Sequence, residues 1–164
     1  MINKINIFFL SMFAIGRSKY APGTVASFIT SLIFIFFYNF QINILILITG
    51  MCLIFIYSVY AIDFFSNSFS EIDASEIVID EFIGQAIPIL TVYGFLQSDD
   101  VGYFLVYSLI AFILFRFFDI VKPYPINIID RNMKNGFGVV LDDVIAGIYS
   151  SLILLIIVSF TYYG

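Results

Sequence analysis

Histidine and tryptophan are absent from this sequence, and cysteine occurs once, as Cys52 inside an apolar run. Without histidine there is no Ser-His or Cys-His nucleophile pair, no imidazole metal ligand and no phosphohistidine intermediate. A single cysteine forms no disulfide within the chain and no paired thiolate site. Charge is also scarce. Only 12% of the 164 residues are Asp, Glu, Lys or Arg, against about 25% in ordinary soluble domains. The net charge of −5 argues against a nucleic-acid partner, because phosphate backbones attract basic surfaces. Any chemistry therefore falls to carboxylates, lysine, arginine, hydroxyls and a metal ion.

What abounds is apolar surface: 62% of residues are hydrophobic and the mean hydropathy is +1.06. A soluble fold of this size cannot hide so many apolar side chains, so lipid must solvate some of them. A spanning helix needs about 20 largely apolar residues. Segments 24–40, 44–62, 77–96, 101–118 and 139–162 meet or approach that length. The run 5–15 is too short to span and is expected at the interface or against the bundle. Tyr38-Asn39-Phe40-Gln41, Gln97-Ser98-Asp99-Asp100 and Pro123-Tyr124-Pro125 punctuate these runs. The expectation is an all-α integral membrane bundle, one domain over residues 1–164, with about five spanning helices and a short N-terminal interfacial helix. Met1-Ile2-Asn3-Lys4 faintly resembles a signal peptide. Gly16-Arg17-Ser18-Lys19 follows without a small-x-small cleavage pattern, so the segment reads as retained.

The basic residues orient the bundle. Lys4, Arg17 and Lys19 precede the first span, while Arg116, Lys122, Arg131 and Lys134 end the fourth or precede the fifth. With the N-terminus inside, all seven are cytoplasmic. The same face then receives Asp63, Glu71, Asp73, Glu76, Asp80, Glu81, Asp119, Asp130, Asp142 and Asp143, leaving Asp99 and Asp100 outside.

Two segments read alike. Ile77-Val78-Ile79-Asp80-Glu81-Phe82-Ile83-Gly84 opens the third span, and Val139-Val140-Leu141-Asp142-Asp143-Val144-Ile145-Ala146-Gly147 opens the fifth. Gly84 follows Asp80 by four residues and Ala146 follows Asp142 by four, so each carboxylate shares a helix face with a small residue. Helix capping explains one acid at such a place. Two adjacent acids, occurring twice, suit a cation held by oxygen ligands: Mg²⁺, or else Mn²⁺ or Ca²⁺. Arg116 and Asp119 stand at i and i+3 on one helix face, a spacing that also fits a plain intrahelical pair. Lys122 stands before Pro123, where the helix must end. Arg116 and Lys122 together make a phosphate clamp beside the acids. In Ala21-Pro22-Gly23-Thr24, Thr24 is placed as a helix N-cap whose free amides can bind an anion, although most such sequences are simple helix starts. Asn135-Gly136-Phe137-Gly138 reads as a turn, and Cys52 as an inert buried thiol.

At these residues the chain resembles the phosphatidylglycerophosphatase A family. The matching stretches are Ala21-Pro22-Gly23-Thr24 with Ser27; the Asp80-Glu81 segment through Gly84; Phe115-Arg116-Phe117-Phe118-Asp119-Ile120-Val121-Lys122-Pro123-Tyr124-Pro125-Ile126; and Asp130-Arg131 with residues 136–147. They cover most of the chain from about residue 15 onward. Segment 66–75 lacks a histidine common in the family, and Tyr124 stands where tryptophan is frequent. The resemblance implies a multi-pass enzyme of the bacterial inner membrane, dependent on Mg²⁺. It would hydrolyse the terminal phosphate monoester of phosphatidylglycerophosphate to phosphatidylglycerol. On this reading Asp80, Glu81, Asp142 and Asp143 hold one or two Mg²⁺ ions. Arg116, Lys122 and Arg131 grip the phosphate, and Asp119 orients Arg116 or acts as base. Activated water and an aspartyl-phosphate remain alternative routes. A divalent-cation channel or transporter using the same carboxylates is the rival reading, and a purely structural membrane subunit the third.

Overall fold

The computed structural model describes residues 2–65, 76–96 and 101–163. Segments 66–75 and 97–100, with Glu71, Asp73, Asp99 and Asp100, lie outside the described residues. The described chain forms seven α-helices: α1 (Ile2–Leu10), α2 (Pro22–Asn39), α3 (Ile44–Phe65), α4 (Ile79–Phe95), α5 (Val101–Val121), α6 (Ile126–Asn132) and α7 (Gly136–Tyr163). Four of them, α2, α3, α5 and α7, are long and apolar enough to cross a membrane. The remaining long helix, α4, has 17 residues, or about 25 Å at 1.5 Å per residue, and carries two acids in its first turn.

Position explains why α4 is shorter and more polar. It packs against α2, α3, α5 and α7, so it sits at the centre of the bundle. Nine of its 17 residues are buried, including Asp80, Gln85 and Pro88. A helix wrapped by other helices need not match the lipid, whereas α3 shows Leu45, Leu53, Ile56 and Tyr60 outward. The long helices alternate in direction, bringing the starts of α2, α4 and α7 to one end with the finishes of α3 and α5. Leu10, Ala26, Ile62, Val78, Ile83 and Val140 fill the core near that end. Phe34, Tyr38, Ile89, Phe104, Leu154 and Val158 fill it toward the other. Several interior hydroxyls bond within their own helices: Ser27 Oγ donates to the Gly23 carbonyl at 2.8 Å, Thr30 to Ala26 at 2.8 Å and Ser151 to Gly147 at 2.9 Å. Local satisfaction is what an apolar surrounding demands.

The most extensive helix contact joins α4 to α7. A Cβ on Gly147 would collide with the Gly84 carbonyl oxygen, and one on Gly84 would meet the Phe115 ring at 2.6 Å and the Asp143 carbonyl oxygen at 2.7 Å. Pro88, four residues after Gly84, has no N–H to give that carbonyl. The freed oxygen faces the Gly147 Cα across the crossing, a contact of the Cα–H···O kind.

The short elements depart from the sequence reading. The N-terminal run is helical only to Leu10 and packs on α3, with the Phe9 and Tyr57 rings edge to face at 5.1 Å. Met12, Phe13 and Ala14 are left-handed, at φ 45°, 57° and 75°. Each costs about 1–2 kcal/mol in a residue with a Cβ. Tertiary bonds hold the turn: Val78 N–H donates to the Leu10 carbonyl at 3.1 Å, and Gly16 N–H to that of Ser11 at 3.0 Å. Thr24 is not the N-cap of α2. Ala21 occupies that place at φ 43°, and Pro22 opens the helix, because its fixed φ and missing N–H suit the first helical position. The segment after Pro125, read as irregular, is the helix α6, anchored by Ile126 against Phe115 and Ala146.

The crossing makes a test with an internal control. Gly84→Ala should destabilise the protein by about 1–3 kcal/mol, the cost of forcing a group into a packed core. Gly50, which has open space around it, should accept alanine neutrally or gain about 0.5–1 kcal/mol. Thermal unfolding in detergent reads both. Equal behaviour of the two variants would mean that the crossing does not constrain the fold.

Candidate active site

Because α4 and α7 start at the same end and cross closely, their acids meet. One carboxylate oxygen from each of Asp80, Glu81 and Asp143 lies within 4.8 Å of the others. Asp80 and Asp143 are 7% and 4% exposed. Asp80 and Asp142 each accept from the next amide: Glu81 N–H donates to Asp80 Oδ1 and Asp143 N–H to Asp142 Oδ1, both at 3.1 Å. Glu81 Oε2 is buried and has no hydrogen-bond partner among the described residues. Like charges this close, under burial, cannot all persist without protons or a cation. The donor set is all oxygen and includes an orphaned carboxylate atom, so it fits a hard divalent cation such as Mg²⁺.

Basic groups stand around this cluster. Arg116, near the end of α5, pairs with Asp119 at 2.6 Å through Nη1, while its Nε is buried and unbonded. Gly23 lets the start of α2 close over the same spot: a Cβ there would strike Glu81 Oε1 and lie 3.3 Å from Arg116 Nη1. Lys122 follows α5 at φ 45°, a left-handed turn that redirects the chain toward α6. Its ammonium donates to Asp142 at 2.7 Å and to Asp130 at 2.9 Å. Partial burial opposes its charge, but the hydrogen bonds to Asp142 and Asp130 outweigh that and raise its pKa above the usual lysine value.

The sequence-predicted residues thus divide. Asp80, Glu81 and Asp143 converge, with Arg116 and Asp119 beside Glu81. Asp142 pairs with Lys122 and is not among the three grouped carboxylates, though its charge still acts on Asp80. Thr24, half-buried in the first turn of α2, caps nothing there. Arg131 is exposed on α6 and forms no ion pair among the described residues. Asp63 has a structural part that sequence reasoning missed: its carboxylate accepts from the Gly136 amide at the start of α7. No sequence signal marked it: the close approach at Gly136, where a Cβ would collide with the Val59 carbonyl, is visible only in the fold.

Comparison with known proteins adds independent findings. The family model for Phosphatidylglycerophosphatase A matches residues 8–158. The chain is 36% identical to a Bacteroides thetaiotaomicron protein named "Putative phosphatidylinositol-3-phosphatase", over 87% of this chain and 86% of that one. It is 30% identical to a Haemophilus influenzae protein named Phosphatidylglycerophosphatase A, over 94% and 88% of the two chains. An Escherichia coli protein of the same name is 32% identical over 87% and 77%. No solved structure matches.

Lys122 offers a stability test separate from catalysis. Lys122→Gln leaves Asp130 and Asp142 without their ammonium and should cost about 1–3 kcal/mol, the scale of a hydrogen bond to a charged group. A raised lysine pKa means that the contribution is complete below the ordinary value of about 10.4 and fades only above it. The lysine itself should therefore add no pH dependence to the penalty between about pH 6 and 9. Denaturation of both proteins in detergent across that range measures it. A variant as stable as the wild type would show that the pairings carry no weight.

Proposed function

Because the chain belongs to the Phosphatidylglycerophosphatase A family, we propose that it hydrolyses the terminal phosphate monoester of phosphatidylglycerophosphate. The products are phosphatidylglycerol and inorganic phosphate, formed during phospholipid biosynthesis at the cytoplasmic face of a bacterial inner membrane. One observation carries the reading. At a single end of the apolar bundle, a buried unbonded acceptor, Glu81 Oε2, and a buried unbonded donor, Arg116 Nε, stand among clustered acids and bases. A phosphate with a divalent cation completes both.

Asp80, Glu81 and Asp143 would hold that cation, with Asp142 close enough to add its field to Asp80. When bound, the ion neutralises phosphate charge and lowers the pKa of a bound water. Arg116 presents its free Nε edge to the phosphate oxygens while Asp119 fixes the far side of the guanidinium. Lys122 adds a second positive charge at the rim, and Arg131, on exposed α6, is placed to meet the headgroup as it arrives. An oxygen nucleophile attacks phosphorus, the ester P–O bond breaks, and the lipid alcohol leaves with a proton.

A second lipid monoester, phosphatidylinositol 3-phosphate, is favoured by the name of the 36% identical relative. It uses the same reaction, so the two differ only in headgroup. The channel reading lacks support: among the described residues the charged side chains of the long helices lie near one end, and none continues through the bundle.

Purified protein assayed for phosphate release against a panel of phosphorylated lipids decides between headgroups. Phosphatidylglycerophosphate should be turned over fastest, and EDTA should abolish the rate. Asp80→Asn and Asp143→Asn should fall to background while remaining folded. Arg116→Lys keeps its charge but loses the planar fork, and should lose about 10²–10³ in kcat. No release from any lipid monoester would overturn the enzyme reading, and full activity in EDTA would remove the metal.

A further inference from the structure

A lateral groove of about 710 Å³ opens between α3, α4 and α7, within the size range of ligand pockets. On α4 it is lined by Ile83, Ile87 and Thr91, which continue the face of Asp80 at i+3, i+7 and i+11. On α3 it is lined by Met51, Cys52 and Phe55, on a face that leads at i+4 from Phe55 to Val59 and so to the start of α7. Val144, next to Asp143, closes the upper end. Among the described residues no acid lines the groove; its near end, at Ile83 and Val144, lies within one helical turn of Asp80 and Asp143, and it runs away from them along two antiparallel helices. The eight helical steps of α4 from Ile83 to Thr91 give it a length of about 12 Å.

We propose that this groove seats one acyl chain of the lipid whose phosphate is held by the acids and Arg116. The inference rests on the lipid-phosphatase reading and names the part of the substrate that reading leaves unplaced. Apolarity alone would not select an occupant, because bilayer tails are as apolar as the groove. Selection comes from tethering: a phosphate gripped at the cluster fixes the position of its own chain and raises its effective concentration in the groove. The outer side of α3, lined by Leu45, Ile46 and Leu53, also forms a lipid-facing hollow but has no connection to the acids. It serves as the internal comparison.

The test uses wild-type protein in vesicles with a phosphonate-headed lipid, which cannot be hydrolysed, carrying a diazirine midway along one chain. After illumination, adducts on Met51, Cys52, Phe55 or Ile87 should exceed those on Leu45, Ile46 and Leu53 by about tenfold or more. Excess unlabelled phosphonate lipid should remove that excess, and chain-matched diacylglycerol should not. Adducts spread evenly around α3, or unmoved by the phosphonate competitor, would overturn the groove assignment. Even adducts from a protein that does release lipid phosphate would sink the groove alone. Concentrated, competable adducts from a protein with no phosphatase activity would keep the groove and sink the reaction.

Discussion

The contact between Gly84 and Gly147 determines what the rest of the molecule can do. It lets α4 and α7 approach to backbone distance, and that approach sets Asp80 and Glu81 against Asp143. With larger side chains at the crossing, the helices would stand farther apart and the trio would open. Pro88 takes part by leaving the Gly84 carbonyl without its helical donor, so the oxygen lies against Gly147 instead. A bilayer offers little hydrophobic force between helices, so close packing of small residues is the interaction that remains.

Burying this many acids is costly, and the architecture limits the cost by location. Asp80 and Glu81 lie in the first turn of α4, where the helix dipole favours negative charge, while Asp142 and Asp143 lie about two turns into α7, where Lys122 meets Asp142. Basic groups reach them from the end of α5, and Gly23 and Gly136 let α2 and α7 close around the same region. The bundle below is mostly apolar; several of its hydroxyls bond their own helix, and Gln85 is buried within it. Polar chemistry and lipid solvation are thus divided along the helix axis.

Much of this was legible in the sequence. Five apolar runs, two acid pairs and an Arg-x-x-Asp-x-x-Lys segment gave the long helices and the end at which their charged residues gather, because hydropathy and residue type are local properties. The partition of the acids was not legible. Asp142 and Asp143 are adjacent, yet one meets Lys122 and the other joins the trio, since a helix turns by about 100° per residue. Thr24 was misread because a threonine before an apolar run resembles a cap, while Pro22 had already started the helix. The helix α6 was missed because its seven residues are too few for periodicity to show and its anchor, Ile126, depends on partners from α5 and α7. Asp63 gave no local sign that it would serve α7, more than 70 residues away.

The shortness of α6 shapes how such a fold can diversify. Ile126 is buried and Asp130 is tied to Lys122, so only the exposed positions of α6, Ile128, Arg131 and Asn132, are free to change composition while the helix crossing below stays fixed.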